Sequence, residues 1–203
     1  NSDIKFKNKL FINNNYVDPI KNKYFENINP SNENFICNIP QSSFEDVDLA
    51  VKAAHAAFYE TWSKITPFER GQLLLNFAGI LKKNSQKLAD LESLDVGKPK
   101  SEAEGDISGV INTFIYNAGA ADKIEGATIP LGNSFVDYTE LVPLGVTAHI
   151  VPWNFPLGMA ARSVAPALAA GCTVVLKPAE QSSLSALAIG EMVIEAGFPP
   201  GVI

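Results

Sequence analysis

The sequence predicts an α/β fold that is built on a parallel sheet. Two short apolar stretches, at residues 146–151 and 173–176, alternate with helical patterns at residues 155–170 and 184–196. This alternation is typical of parallel strands joined by crossover helices. Asn154 follows the first stretch after two intervening residues, and Lys177 follows the second directly. Because open sheets of this kind bind ligands outside the carboxyl ends of their strands, we expect a site at that edge.

The first forty residues predict a small antiparallel lobe. They hold eleven asparagines, and Asn tolerates the positive φ that tight turns require. The run of three asparagines at residues 13–15 separates two apolar segments and therefore indicates a hairpin. A second turn is predicted at residues 29–32, and a short strand is predicted at residues 35–37.

Four helices are predicted downstream of this lobe. The first has apolar residues at helical spacing over residues 47–58. Thr66 and Glu69 form a predicted capping box, with a proline between them at the first helical position, and they open the second helix. Ser85 is predicted to cap the third helix, and the fourth is expected to open at Ser101.

Strands and helices alternate in the predicted structure after the fourth helix. The pattern turns extended after the fourth helix, with a strand predicted over residues 135–141. Pro166 is expected to kink or shorten the helix at residues 155–170, because proline lacks the backbone N–H that a helix interior uses. Both apolar strands are expected to be buried, and another strand is expected to begin within residues 199–203.

Composition narrows the range of partners. The 16 basic and 22 acidic side chains give a net charge of −6, which argues against nucleic acid as a partner. The longest weakly polar run, at residues 164–176, is shorter than the ~18 residues that a membrane span requires. The N-terminus has no apolar signal segment, and two cysteines do not make a disulfide framework. We therefore expect a soluble cytoplasmic protein without nucleic acid or membrane as a partner.

Lys177 and Glu180 follow the second apolar strand. An ammonium and a carboxylate at this edge can bind the vicinal hydroxyls of a ribose. The carboxylate would repel a 2′-phosphate, so the pair favours NAD over NADP. The alternative is a solvated ion pair in a loop, which contributes little to stability.

Asn154 and Arg162 are candidates for contact with a substrate. Asn154 stands between two aromatic residues at a strand end, where its amide could donate to a developing oxyanion. The alternative is that Asn154 is the N-cap of the next helix. Arg162 lies about two helical turns further on, where it could pair with a carboxylate or extend into solvent.

The histidines and cysteines are weaker candidates. His55 and His149 are expected to be structural residues, and their separation does not suggest a metal pair. Cys172 is expected to be a small core residue, and neither Cys172 nor Cys37 has the features of a nucleophile. The sequence contains no motif for a metal site.

Several collinear motifs cover essentially the whole chain. In the second half they are residues 152–156 (Pro-Trp-Asn-Phe-Pro), 167–171 (Ala-Leu-Ala-Ala-Gly), 176–181 (Leu-Lys-Pro-Ala-Glu-Gln) and 195–202 (Glu-Ala-Gly-Phe-Pro-Pro-Gly-Val). Upstream they are residues 11–14, 28–30, 48–54, 91–95, 97–99 and 116–121. Together they resemble the aldehyde dehydrogenase superfamily. The resemblance implies a Rossmann-like parallel sheet that is incomplete at the C-terminus, with an N-terminal antiparallel lobe and helices.

The resemblance also implies an activity, which is the NAD-dependent oxidation of an aldehyde to a carboxylic acid. In that family a cysteine thiolate attacks the aldehyde, hydride passes to the nicotinamide, and a water activated by glutamate releases the acid. The amide that matches Asn154 stabilises the thiohemiacetal oxyanion, and the residues that match Lys177 and Glu180 bind the adenosine ribose. The cofactor positions implied are Val151, Pro152, Trp153, Asn154, Lys177, Pro178, Ala179 and Glu180.

The substrate positions implied are Phe155, Met159 and Arg162. Family members that act on semialdehydes with a carboxylate often have arginine at the position of Arg162, which suggests an acidic or polar aldehyde. Some members hold a monovalent cation at the positions that match Asn27, Ile28, Asp95 and Gln181, although we predict no metal site here.

The family's nucleophilic cysteine, general-base glutamate and oligomerisation arm all follow the motif at residues 176–181, and they are absent from these 203 residues. We therefore expect that these residues alone do not oxidise an aldehyde and that the complete protein is a homo-oligomer. Two alternatives stay open. One is an aldehyde dehydrogenase in which CoA takes the acyl group, and the other is a truncated, non-catalytic protein with a binding or regulatory role.

This resemblance divides the chain into three segments. Residues 1–123 are the N-terminal strands and the helical part of the cofactor-binding domain. Residues 124–145 are an extended hairpin of the oligomerisation type, and residues 146–203 are the first half of the NAD-binding core. Two parallel strands are fewer than the ~5 of a usual sheet. We therefore expect that the chain is the N-terminal portion of a larger protein without its catalytic domain, or that it requires a partner.

Overall fold

Eight strands and six α-helices make up residues 6–203, which are the residues that this computed structural model describes. The polar residues 1–5 of the first predicted segment lie outside this range. The strands are β1 (Leu10–Ile12), β2 (Asn15–Val17), β3 (Tyr24–Ile28), β4 (Phe35–Pro40), β5 (Thr128–Ile129), β6 (Asp137–Tyr138), β7 (Val146–Ile150) and β8 (Thr173–Lys177). The helices are α1 (Phe44–Glu60), α2 (Pro67–Lys83), α3 (Ser85–Val96), α4 (Lys100–Ala120), α5 (Pro156–Ala169) and α6 (Leu184–Ala196).

The predicted β–α–β unit is present. β7 and β8 are parallel, and α5 connects them. Helices α1 and α5 both pack against the two strands. The hydroxyl of Thr173 donates to the carbonyl oxygen of Ala54 at 2.9 Å, which fixes the start of β8 to α1. Ile150 and Lys177 are paired at the far end of the two strands, so both strands reach the same edge.

The prediction that both strands are buried is wrong for β7. Ile150 is 80% exposed, whereas Val174 of β8 is buried. The difference arises because β8 has neighbours on both sides: β7 on one side and, on the other, Val202, whose carbonyl oxygen accepts the N–H of Val174 at 2.9 Å. Within residues 6–203, β7 is paired with β8 alone.

Residues 199–203, where another strand was expected to begin, contain no assigned strand. This segment is a turn that lies against α1, although Val202 at its end is fully buried. Gly201 has φ +84°, and a Cβ atom there would lie 2.5 Å from the carbonyl oxygen of Ala53. The close approach to α1 and the positive φ explain why the segment turns here instead of extending.

The N-terminal antiparallel lobe consists of two separate hairpins. β1 pairs with β2 across Asn13 and Asn14, which have φ values of 53° and 58°. This confirms the hairpin and the role of asparagine in its turn. β3, which was not predicted, pairs with β4. The strand that was expected at residues 35–37 therefore extends to Pro40.

The helix starts were predicted with mixed success. The backbone N–H of Thr66 donates to Glu69 Oε2 at 2.7 Å, and the N–H of Glu69 donates to Thr66 Oγ1 at 3.2 Å, which confirms the capping box of α2. Ser85 is the first residue of α3 and not its cap. α4 begins at Lys100, one residue before the predicted position.

One prediction in the second half of the chain is wrong. The strand expected over residues 135–141 is only two residues long, because β6 pairs with the equally short β5. Pro166 does not shorten α5, which continues to Ala169. Proline here removes the partner of the carbonyl group of Arg162, but both residues lie on the exposed face, so water can reach that carbonyl.

The helices share one apolar core. The rings of Phe77 on α2 and Phe114 on α4 meet edge to face, with their centroids 4.9 Å apart. Leu88 of α3, Leu168 of α5 and Val193 of α6 are buried in the same cluster. This core sets the positions of α3, α5 and α6 relative to one another. In residues 6–203, no helix has both the length and the apolar character needed to cross a membrane.

Gly190, in the interior of α6, offers a test of how closely the first hairpin packs on this core. A Cβ atom at Gly190 would lie 2.7 Å from both Phe11 Cδ2 and the Tyr16 hydroxyl oxygen. We expect Gly190→Ala to lower the free energy of unfolding by about 1–3 kcal/mol through overpacking. Urea unfolding followed by circular dichroism measures the change.

Gly79→Ala in the interior of α2 is the matched control. A Cβ atom at Gly79 meets no atom within 4 Å, so this substitution should raise the free energy of unfolding by about 0.5–1 kcal/mol. Equal effects of the two substitutions would contradict the close packing of the β1–β2 hairpin against α6.

Candidate cofactor and active site

Two turns lie side by side at the carboxyl ends of β7 and β8. The first turn comprises residues 151–155 and leads into α5. The second comprises residues 178–183 and leads into α6. The backbone N–H of Val151 donates to the carbonyl oxygen of Lys177 at 3.1 Å and bridges the two strand ends directly. The edge that the sequence predicts as a site is therefore formed by these two turns.

The first turn exposes most of its side chains. Val151 is buried, whereas Pro152, Trp153, Asn154 and Phe155 are exposed. Within residues 6–203, the side-chain amide of Asn154 forms no hydrogen bond, while its backbone carbonyl accepts one from Lys98 Nζ at 3.0 Å. The amide is therefore free to meet a ligand.

Asn154 is not the N-cap of α5, so that alternative interpretation is wrong. Phe155 occupies the N-cap position, and it makes no side-chain capping bond. The helix begins one residue later than an Asn154 cap would require. The N–H of Leu157 in its first turn is instead bound by a side chain from another helix, Glu92 of α3, at 2.9 Å.

The Lys177–Glu180 pair joins the last residue of β8 to the second turn. The ammonium group of Lys177 donates to Glu180 Oε1, and both side chains are at least half exposed. This hydrogen bond is the main cause of a pKa of Glu180 below its ordinary value, so the carboxylate is ionised at neutral pH. Between them, Pro178 is half-buried and Ala179 is buried. The exposed ion pair contributes little to stability, so a ligand can replace it at small cost.

The substrate positions lie along one side of α5. Phe155 is exposed, and its carbonyl oxygen accepts the N–H of Met159 at 2.8 Å. Met159 is half-buried. Arg162 is exposed, and among residues 6–203 it has no ion-pair partner. The exposure agrees with a side chain that extends into solvent, and it also leaves the guanidinium group available to an anion.

Beneath the two turns lies a pair of buried carboxylates on α3, which was not predicted as a pair. Glu92 Oε1 accepts the N–H of Leu157 at 2.9 Å and the hydroxyl of Ser185 at 3.1 Å. Asp95 Oδ2 accepts the N–H of Leu184 at 2.9 Å. Each carboxylate therefore caps the N-terminus of one helix, Glu92 for α5 and Asp95 for α6. Acidic residues three positions apart on the apolar face of a helix were the signal that could have revealed them.

Burial dominates the electrostatics of these two carboxylates. Glu92 is fully buried, and the loss of solvent raises its pKa above the ordinary value, against the opposing hydrogen bond from the N–H of Leu157. The same cause raises the pKa of Asp95 to about 6. Lys98 Nζ lies 3.8 Å from Glu92 Oε2 and provides the nearby positive charge.

The positions that matched a cation site in some relatives are only partly brought together. Asn27 donates from Nδ2 to Asp95 Oδ1 at 2.7 Å, and both residues are buried. Ile28 and Gln181 are exposed. Among residues 6–203, no three His, Cys, Asp or Glu side chains form a group that could hold a metal ion.

His149, Cys37 and Cys172 are all at least partly buried. His149 is half-buried, and its Nε2 lies 2.9 Å from Thr147 Oγ1. Burial, together with the charge of Asp95, raises the pKa of Cys37 to about 11, so its thiol is protonated at neutral pH and is a poor nucleophile. Cys172 is buried just before β8.

Parallel strands with a connecting helix, and polar side chains at the carboxyl edge, define an α/β protein with a Rossmann-like sheet. The chain belongs to the aldehyde dehydrogenase family, whose model matches residues 16–203. The members of this family are oxidoreductases that act on aldehydes.

Individual relatives agree with the family model. Human aldehyde dehydrogenase 1A1 is 45% identical over the whole of this chain, which covers 41% of the human protein. The NAD⁺ complex of a Bacillus cereus aldehyde dehydrogenase superposes with a TM-score of 0.95 at 43% identity, over 97% of this chain and 40% of that one. An NADP-dependent enzyme from E. coli superposes with a TM-score of 0.94 at 37% identity, over 97% of this chain and 41% of that one. The chain thus spans about two fifths of the length of these relatives.

Glu92 is the residue through which the capping arrangement can be tested. Glu92→Met preserves volume but leaves the N–H of Leu157 and the hydroxyl of Ser185 without an acceptor. Hydrogen bonds to a buried charged group contribute about 1.5–3 kcal/mol each. The substitution also removes a carboxylate whose burial is itself unfavourable. We therefore expect a net fall of about 2–4 kcal/mol in the free energy of unfolding, measured in urea.

Asp90→Met is the matched control on the same helix. Asp90 forms a partly exposed ion pair with Lys100 at 2.8 Å, which contributes at most about 1 kcal/mol. If Glu92→Met destabilised the protein no more than Asp90→Met, the capping role of Glu92 would be refuted.

Proposed function

We propose that this chain supplies the cofactor-binding part of an NAD-dependent aldehyde dehydrogenase, which oxidises an aldehyde to a carboxylic acid. The observation that carries this proposal is the adjacency of the two turns. An exposed amide that has no hydrogen-bond partner among residues 6–203 follows β7, and an exposed ammonium–carboxylate pair lies at the end of β8 at the same edge. Membership of the aldehyde dehydrogenase family gives this edge its expected chemistry.

The second turn suits the adenosine ribose of the cofactor. Glu180 is ionised and exposed, so it can accept from two vicinal hydroxyls, and Lys177 can donate to them. Val151, Pro152 and Trp153, with Pro178 and Ala179, would line the cleft between the turns. NAD supplies the hydride acceptor for the reaction when it is bound.

The choice of NAD over NADP depends on Glu180. Its carboxylate would repel a 2′-phosphate on the same ribose. The family as a whole does not decide the matter, because similar structures include both an NAD⁺ complex and an NADP-dependent enzyme. The charge at residue 180 therefore supports the assignment of NAD in this protein.

The first turn suits the carbonyl oxygen of the aldehyde. The Asn154 amide can donate an N–H to the oxygen as it gains negative charge during attack by a thiolate. Such a donor stabilises the transition state more than the ground state. Neither cysteine suits the nucleophile, because Cys37 has a raised pKa and Cys172 is buried. We infer that these 203 residues alone do not turn over an aldehyde.

The same proposal assigns roles to the segments of the chain. Residues 1–123 and 146–203 contribute to the cofactor-binding domain, and the extended hairpin at residues 124–145 mediates association into a homo-oligomer. The apolar side chains of the hairpin support this role, because several of them are largely exposed: Phe135, Val136, Tyr138, Leu141 and Val142.

Asn154→Ala tests the catalytic assignment in the gene product that contains this chain. Loss of the oxyanion donor should lower kcat about 10²–10³-fold and leave the KM for NAD nearly unchanged. The formation of NADH, followed by absorbance, measures both constants. Asn76→Ala, at an exposed position of α2, should leave kcat unchanged. An unaltered kcat in Asn154→Ala would remove Asn154 from the mechanism, and an absence of any NADH in the unsubstituted protein would refute the proposed function.

Arg162→Leu tests the substrate class. An exposed guanidinium on α5 can pair with the carboxylate of a semialdehyde, and a charged hydrogen bond contributes about 1.5–3 kcal/mol. We expect the KM for succinate semialdehyde to rise about 10–100-fold, while the KM for a neutral aldehyde of similar length changes little. Arg162→Lys should retain part of the preference because it keeps the charge. Equal effects of Arg162→Leu on both substrates would dismiss an acidic substrate.

A further inference from the structure

Lys98 has an unusual environment, and the function proposed above does not use it. Only 9% of its side chain is exposed. Its Nζ lies 2.6 Å from Asp106 Oδ2 and 3.0 Å from the carbonyl oxygen of Asn154. The same nitrogen lies 4.3 Å from the centroid of the Phe155 ring and 3.8 Å from Glu92 Oε2.

The backbone holds Lys98 rigidly in this place. α3 ends at Gly97, whose φ of +76° reverses the chain, and α4 begins three residues later at Lys100. The hydroxyl of Ser93 donates to the carbonyl oxygen of Lys98 at 2.8 Å. Asp106 belongs to α4, so the ammonium group is anchored by a helix that follows it as well as by the one before it.

The contacts of Lys98 converge on the first turn of the site. Its ammonium binds the carbonyl group of Asn154 and covers the ring of Phe155, the two residues that precede α5. Leu157, two residues after Phe155, donates its backbone N–H to the carboxylate of Glu92. Two charged side chains from outside β7 and α5, Lys98 and Glu92, thus hold the first turn on the carboxyl side of Asn154.

We propose that Lys98 is a positioning residue that sets the direction of the Asn154 side-chain amide for the oxyanion. This proposal rests on the proposed function. A peptide group that is free to rotate would carry the Asn154 amide with it, whereas a carbonyl bound to a buried ammonium cannot turn without losing a charged hydrogen bond. Stabilisation of an oxyanion depends on a donor that is oriented before the reaction begins.

The charge of Lys98 is what the position requires. A neutral side chain of equal length would leave the carbonyl of Asn154 unbound and Asp106 without its partner. Arginine keeps the charge and can reach both oxygens from a longer side chain, so it should preserve part of the function. A comparison of Lys98→Met with Lys98→Arg therefore separates the effect of the charge from the effect of changing the side chain.

The test compares kinetics in the gene product that contains this chain. Lys98→Met should lower kcat about 10–100-fold, since a small misplacement of a catalytic group costs rates of this order, and the KM for NAD should stay within about twofold. Lys98→Arg should recover part of the loss. Lys100→Met is the matched control, because Lys100 also pairs with a carboxylate, that of Asp90, but is exposed. It should leave kcat unchanged.

A double-mutant cycle separates positioning from general destabilisation. If Lys98 acts through Asn154, then Lys98→Met should have little further effect on kcat when it is added to Asn154→Ala. A loss that is the same with and without Asn154 would overturn the proposal, as would an unchanged kcat in Lys98→Met. Should Lys98→Met fail to fold, Asp106→Asn provides the cycle instead. It weakens the anchor of Lys98 and should lower kcat in the same direction, by a smaller factor that also disappears with Asn154→Ala.

Hydrogen exchange keeps the proposal testable apart from activity. Lys98→Met should raise deuterium uptake in the peptide that covers residues 151–159, and Lys100→Met should not. If the unsubstituted protein oxidises no aldehyde, the proposed function fails, but a faster exchange of this peptide would still support the positioning of the turn. An unchanged exchange rate would overturn the positioning role whatever the activity.

Discussion

Two carboxylates on the buried face of α3 hold the starts of the two helices that follow the parallel strands. The first turn of any helix leaves backbone N–H groups without partners, and its positive end favours an anion. Neither α5 nor α6 satisfies this need with its own N-cap side chain. Glu92 and Asp95 supply the acceptors from a third helix, so the positions of α5 and α6 both depend on α3.

This arrangement explains how two exposed turns can belong to one site. Each turn lies between the end of a strand and the start of a capped helix. Hydrogen bonding between β7 and β8 sets the distance between the strand ends, and α3 sets the distance between the helix starts. Taking two carboxylates out of water is unfavourable, as their raised pKa values show. Hydrogen bonds offset this penalty at both residues, and the ammonium of Lys98 does so at Glu92. Both ends of each turn are fixed in this way. The exposed side chains of the turns can therefore be oriented even though they do not pack against the core.

Features that depend on a few neighbouring residues could be predicted from the sequence. The β1–β2 hairpin depends on asparagines that accept positive φ, and the start of α2 depends on a reciprocal bond between Thr66 and Glu69. The alternation of β7, α5 and β8 depends on apolar spacing along the chain. The polar residues at the carboxyl edge could also be located, because strand direction alone decides which ends meet.

Asn154 shows where inference from neighbouring residues fails. Its residue type suits an N-cap, but α5 is capped by a residue that is 65 positions away in sequence.

By itself the sequence determined the order of the helices and the parallel strands, the edge of the sheet where polar groups gather, and the resemblance to a family. These follow from periodicity, turn chemistry and strand direction, which act over short distances along the chain. Only the tertiary structure decided that β7 is not buried, how α5 and α6 are capped, and that the ammonium of Lys98 is bound to the carbonyl of Asn154. Those outcomes depend on the packing of α3 and α4 against residues far along the chain, and no local pattern encodes a contact between such distant segments.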